Sequence, residues 1–97
     1  MMWAMRKSTH TPEYDALCSC LKRVREKAGL SQRQLAVKLN VPHSWVAKVE
    51  MGERRLDLIE FAWFTRFCGE DPARLAQELL RQIVEAAPHA TAERRRR

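Results

Sequence analysis

Residues 29–52 read GLSQRQLAVKLNVPHSWVAKVEMG, and two short helices are legible in them. Ser31 and Gln34 stand at capping-box spacing: the Ser hydroxyl accepts from the amide three residues on, and the Gln side chain reaches back to the Ser amide. The helix they open runs to about Leu39 and buries Leu35, Ala36 and Leu39. It is too short to hold by itself in water. Asn40, which tolerates the left-handed conformation, breaks it. Val41-Pro42 restarts the chain, with Pro at a helix-opening position, and Gly52 stops a helix over about 42–51. Ala36 is small where the later helix must cross close to the earlier one, and the turn with Val41 sets that crossing near a right angle. Such a crossing pushes the later helix out of the domain, where a groove can receive it.

The flanking sequence supplies three more helices. Thr11-Pro12 pairs a hydroxyl cap with Pro at the first helical position. Tyr14, Leu17, Leu21, Val24 and Ala28 then recur at spacings of three and four, one apolar stripe ended by Gly29. Beyond the central segment, Glu53-Arg54-Arg55 forms a basic loop. A fourth helix is expected over about Asp57 to Cys68, with Asp57 as its cap and Gly69 as its stop. Asp71-Pro72 opens a fifth, carrying Leu75, Ala76, Leu79, Leu80, Ile83 and Val84. No β-type alternation appears. The expected fold is therefore all-α, five helices over residues 12–87. Residues 1–11 are expected to be a flexible N-terminal arm, and residues 88–97, closing in Arg94–Arg97, a disordered basic tail.

Length and charge narrow the function. Ninety-seven residues make one domain, large enough to fold without staples. The net charge is +6. Residues 12–55 carry nine Lys/Arg against five Asp/Glu, whereas residues 56–86 carry three against six. One half is basic and the other acidic, as expected when one face meets a polyanion; on charge alone a plain solvated surface accounts for it slightly better. Cys18, Cys20 and Cys68 are an odd set without metal-ligand spacing. The first two diverge by about 200° on a helix, so neither a disulfide framework nor a metal site is expected. No run reaches the ~18 apolar residues of a membrane span, and Met1–Thr11 lacks the apolar stretch of a secretory signal; a cytoplasmic protein follows. His10, His43 and His89 are scattered, with no paired carboxylates, phosphate loop or nucleophile setting. Neither an enzyme nor a cofactor is expected.

The helix after Pro42 shows which residues would face a partner. Val46 and Val49 are apolar and pack inward. Ser44 and Lys48 sit two positions either side of Val46, about 200° away, and point out. His43, Trp45 and Ala47 flank that stripe. Ser, His and Lys bond base edges or phosphates, Ala meets a thymine methyl, and a helix N-terminus favours a phosphate.

These residues, in the order Leu30-Ser31-Gln32, Leu35-Ala36, Val41-Pro42, Trp45-Val46, Lys48-Val49-Glu50 and Gly52-Glu53-Arg54-Arg55, resemble the XRE-type helix-turn-helix family, that of the lambda and 434 phage repressors and Cro. The likeness spans about residues 15 to 80. It implies a five-helix, lambda-repressor-like DNA-binding domain whose second and third helices form the helix-turn-helix. It further implies that Gln32 contacts a phosphate and supports the third helix, with base contacts from His43, Ser44 and Lys48, a backbone or sugar contact from Trp45, and phosphate contacts from Arg54 and Arg55. Arg25 and Glu50 occupy the positions of a structural ion pair. The chain departs from the family's pattern at Asn40, where Gly is usual, at Pro42, where Ser or Thr is usual, and at the bulky Trp45.

The fourth helix is apolar on two sides. Phe61, Phe64, Thr65 and Cys68 form the inward stripe, and Trp63 and Phe67 a second, with Ile59 adjoining. A helix apolar on two sides is buried on two sides, either by a thick single core or by a two-fold interface. The family's habit of binding two half-sites ~34 Å apart favours a homodimer, with Ile59, Trp63, Phe67, Leu80 and Ile83 at its interface. Two functions then fit: a transcriptional regulator, as a repressor on an inverted repeat of double-stranded DNA, or an antitoxin-like module that binds a protein partner through the fourth and fifth helices.

Overall fold

The computed structural model describes residues 11–85. Five helices account for most of them: α1 (Pro12–Lys27), α2 (Gln32–Leu39), α3 (His43–Glu50), α4 (Leu58–Phe67) and α5 (Pro72–Glu85). No strand occurs among the described residues. Apart from Thr11, the expected arm lies outside them, as does the expected tail.

The helix ends follow from local chemistry. Thr11 Oγ1 accepts from the Tyr14 amide at 3.2 Å and opens α1. Ser31 and Gln34 close the capping box of α2 at 3.0 and 2.8 Å. A second box, not anticipated from the sequence, opens α4: Asp57 accepts from the Glu60 amide at 2.7 Å, and Glu60 accepts from the Asp57 amide at 3.0 Å. Asn40 ends α2 at φ 58° and ψ 48°, a conformation its short polar side chain bears better than most. Pro42 precedes α3 in extended geometry at ψ 147° and gives no side-chain cap, so α3 starts one residue later than the sequence suggests.

α2 and α3 pack on one another, and α4 closes over α2 while α1 lies against α3, α4 and α5. Leu21 of α1, Leu35 of α2, Val46 and Val49 of α3 and Phe64 of α4 are fully buried where these helices meet. Ala36 is buried as well, at the close approach that its size permits. Thr65, polar and fully buried, donates to the Phe61 carbonyl at 2.9 Å, which satisfies its hydroxyl. Ala28, expected in the stripe of α1, is exposed because it lies just past the helix's last turn. Arg25 is buried on that stripe instead. The cysteines are free and buried. Burial pushes the Cys68 thiol up to about 11, so it is protonated near neutral pH and a poor nucleophile.

α5 is the least covered helix. Only Leu79 is buried; Leu75, Ala76 and Ile83 are partly covered, and Leu80 and Val84 stand in solvent. The core is thus centred on Phe64 rather than on α5. Phe64→Ala is expected to cost about 3–5 kcal/mol in urea unfolding, and Leu80→Ala a small fraction of that; equal losses would mean that the core is placed wrongly.

Candidate nucleic-acid interface

The last residue of α3, Glu50, is held by two other segments of the chain. Arg25 Nε donates to Glu50 Oε2 at 2.7 Å, and Arg25 Nη2 donates to Oε1 at 3.1 Å. Arg25 Nη1 donates to the Leu30 carbonyl at 2.8 Å, in the turn between α1 and α2. Gln32 Nε2 donates to Glu50 Oε1 at 2.9 Å from the first turn of α2. The paired side chains of Arg25 and Glu50 are only 9% and 3% exposed. The planar guanidinium therefore ties α1, the turn and α3 together, a geometry lysine cannot supply. Hydrogen bonding to Glu50 holds the Arg25 guanidinium above its ordinary range.

This clasp fixes the orientation of α3. Val46 and Val49 face the core, and His43, Ser44 and Lys48 stand exposed on the helix's other side. None of those three makes a side-chain hydrogen bond or ion pair among the described residues. Ala47 is half-buried between the two faces, and Met51 stands exposed one turn beyond it. Met51 was not singled out from the sequence, although its spacing of three from Lys48 puts it on the same strip.

The other residues named from the sequence also make contacts within the domain. Gln32 is half-buried and bonded to Glu50, so its amide braces α3. Trp45 packs against Phe64, with ring centroids 6.5 Å apart, and belongs to the rim of the core. The Arg54 guanidinium lies 5.1 Å over the Trp45 ring and donates to both Glu60 oxygens at 3.1 and 3.0 Å. That bond, more than any other influence, holds the Glu60 carboxyl below its usual range. Arg55 lies 5.8 Å over the Tyr14 ring. The basic loop is thus a positioned pair of guanidinium groups, of which Arg54 is already charge-compensated.

The five residues expected at a dimer interface are spread over two grooves and the outside of α4. Trp63 and Phe67 stack with centroids 6.0 Å apart and line a groove with Leu39, Val41 and Trp45. Leu80 and Ile83 line a different groove with Leu17 and Leu58. Ile59 is exposed on α4 and lines neither. Ile59 misses the second groove because it points about 100° away from its neighbour Leu58, which lines it. No cluster that could hold a metal ion occurs among the described residues, and no helix among them is long and apolar enough to cross a membrane.

Known proteins agree with this geometry. The family model for a helix-turn-helix domain matches residues 16–77, from the first turns of α1 into α5. Among solved structures, the chain is similar to an XRE-family like protein from Pseudomonas syringae pv. tomato str. DC3000. The two are 42% identical, with a TM-score of 0.72, over 81% of this chain and 96% of that one. No curated protein matches the chain.

Two outcomes are expected from the polar contacts. Arg25→Ala leaves Glu50 buried without its cation and is expected to cost about 3–5 kcal/mol, whereas the pair Arg25→Met with Glu50→Leu recovers most of that loss; a double variant as unstable as the single one would show that the clasp is not the cause. Glu60, with its folded pKa depressed, contributes stability that is present above the unfolded carboxylate value and lost as pH falls through the folded one. Glu60→Gln should therefore flatten the decline of Tm below about pH 5 and change little at pH 7, where this partly exposed pair is worth under about 1 kcal/mol.

Proposed function

The chain belongs to the XRE-type helix-turn-helix family of DNA-binding transcription regulators, and on that premise we propose that it is a cytoplasmic repressor acting as a homodimer on an inverted repeat. The observation that carries this reading is the exposed strip of α3. Its polar groups His43, Ser44 and Lys48 make no side-chain hydrogen bond or ion pair among the described residues, while the helix behind them is locked by a buried ion pair. A rigid helix with unspent donors is suited to the major groove, where each base pair offers its own donor and acceptor pattern.

Each residue has a role in this reading. Lys48 and Ser44 read base edges, and His43 bonds a base or phosphate at the helix start. Ala47 and Met51 offer methyl groups to thymine. The second amide proton of Gln32 reaches a phosphate while the first holds Glu50. Arg54 and Arg55 flank the groove, with Arg54 oriented by Glu60 so that its approach to a phosphate costs little side-chain entropy. Trp45 buttresses Arg54 and touches the sugar-phosphate edge at most.

The homodimer rests on the outer side of α4. Ile59, Trp63 and Phe67 are 65%, 53% and 42% exposed, and a preformed aromatic stack at a centre of exposed apolar surface is the usual make-up of an interface hot spot. Two copies joined there would present two α3 helices to successive major grooves, ~34 Å apart.

Selection of duplexes from a random pool at near-physiological salt is expected to enrich an inverted repeat with half-sites about one turn apart. Binding without enrichment that vanishes as salt rises would reduce the protein to electrostatic affinity. On the enriched site, Lys48→Ala is expected to weaken binding by about 1–3 kcal/mol and to relax preference at one position. An unchanged ratio of specific to non-specific binding would remove Lys48 from base reading. Trp63→Ser should leave a monomer in sedimentation experiments; a dimer that survives it must use another surface.

A further inference from the structure

Arg54 and Arg55 stand side by side on the loop after α3, and the domain holds them by different means. The loop starts bound to α3: the Glu53 and Arg54 amides both donate to the Lys48 carbonyl, at 2.9 and 3.2 Å. Arg54 is then fixed by Glu60 and Trp45. The peptide unit between Arg55 and Leu56 is gripped at both ends. Its carbonyl accepts from Arg54 Nη1 at 2.9 Å, and its amide donates to the Tyr14 hydroxyl at 3.1 Å. The Arg55 guanidinium lies over the ring of the same tyrosine, 5.8 Å from its centroid, within the ~6 Å at which a ring face attracts a cation.

Tyr14 belongs to a distant part of the chain, the first turn of α1, 42 residues before Leu56. Its own amide donates to the Thr11 cap at 3.2 Å, so its backbone is anchored before its side chain meets the loop. It opens the apolar stripe of α1, yet it is half-buried and stands outside the core cluster that Leu21 and Val24 of the same helix join. Leucine or phenylalanine would serve a stripe as well. The phenol adds two things that they lack in combination: an acceptor for a loop amide and a ring face beneath a cation. An arginine free to rotate gives up rotamer freedom when it meets a phosphate. One already laid on a ring, with its backbone pinned, gives up less.

We infer that Tyr14 is a positioning residue for DNA binding: its hydroxyl and ring together hold Arg55 where it meets a phosphate of the duplex. The inference rests on the reading of α3 and the loop behind it as the DNA-facing surface. Lys48 joins the two, since its side chain stands exposed on α3 while its carbonyl anchors the loop. Arg55 is therefore tied to the strip that enters the groove. A phosphate contact carries no sequence information, but it sets the register of the protein on the duplex. α1 then serves the interface at two points. Arg25 fixes α3 from inside through Glu50, and Tyr14 fixes the loop from the start of the helix.

The test measures the affinity of the full chain over a range of salt, for a duplex carrying the enriched repeat and for one of unrelated sequence. Each phosphate contact contributes about 0.9 per bound chain to the slope of log affinity against log salt. Arg55→Ala is expected to flatten the slope by about that much. Tyr14→Leu, which lacks hydroxyl and ring, is expected to flatten it equally and to weaken both duplexes alike. In the Arg55→Ala background Tyr14→Leu should change the slope no further, because residues that act through one another do not add. Tyr14→Phe keeps the ring and tests the hydroxyl with the stripe of α1 intact. It should weaken binding several-fold without altering the preference between duplexes, and have no effect once Arg55 is alanine. Losses at Tyr14 that are equal in both backgrounds would make its role structural and overturn the inference. So would a loss of preference, which would mean that Tyr14 acts on α3. Tyr14 variants with an unchanged slope, beside Lys48→Ala and Arg55→Ala that do weaken binding, would sink the inference and leave the DNA reading standing. If Lys48→Ala and Arg55→Ala also bind like the wild type, the DNA reading falls and the inference with it.

Discussion

The carboxylate of Glu50 sits where three segments meet, and the rest of the molecule depends on how it is held. It ends α3, it is almost wholly buried, and it takes hydrogen bonds from Arg25 of α1 and Gln32 of α2. A buried ion pair is a poor source of net stability, because desolvation consumes much of what attraction returns. Its effect is geometric. The guanidinium accepts one arrangement of carboxylate and carbonyl and few others, so the angle of α3 against α1 and α2 is set by bond directions as well as by packing of Val46 and Val49. A helix of eight residues cannot keep its own orientation or even its own helicity; it borrows both from this clasp and from α4 behind it.

Function follows from what the clasp leaves free. With one side of α3 committed to the core and its end to Arg25, the remaining side carries donors that bond nothing else among the described residues. Around it the fold uses cations in two ways. Arg25 is internal, and Arg54 is tied to Glu60 and stacked on Trp45, whereas Lys48 is uncommitted. Lysines and arginines of one sequence segment thus divide between holding the interface and serving it, a division that net charge conceals.

The fold was legible in the sequence wherever local chemistry is self-sufficient. Caps, boxes and left-handed stops at Thr11, Ser31, Asn40 and Gly52 set the boundaries of α1 to α3 to within about a residue, because each is decided within four residues of itself. The inward stripe of α4 was legible for the same reason. What could not be read was how side chains divide between neighbours far apart in sequence. Trp45 and Arg54 also engage Phe64 and Glu60 through the packing of α4, and no periodicity within α3 reports that. The apolar residues of α4 and α5 were read as one interface; Trp63 and Phe67 line one groove and Leu80 and Ile83 another. The Arg25–Glu50 pair came from family resemblance, since residues twenty-five apart carry no local signal of contact.

The claim at the centre of this account is that α3, held by the clasp, is the element that enters DNA. The most direct measurement is a titration of the isotope-labelled chain with a short duplex, followed residue by residue in amide spectra. The account predicts the largest changes at His43, Ser44, Ala47 and Lys48, lesser ones at Gln32 and the Arg54–Arg55 loop, and none along the Trp63–Phe67 side of α4. Changes concentrated on α4 and α5, with α3 unmoved, would contradict it and make those helices the binding surface.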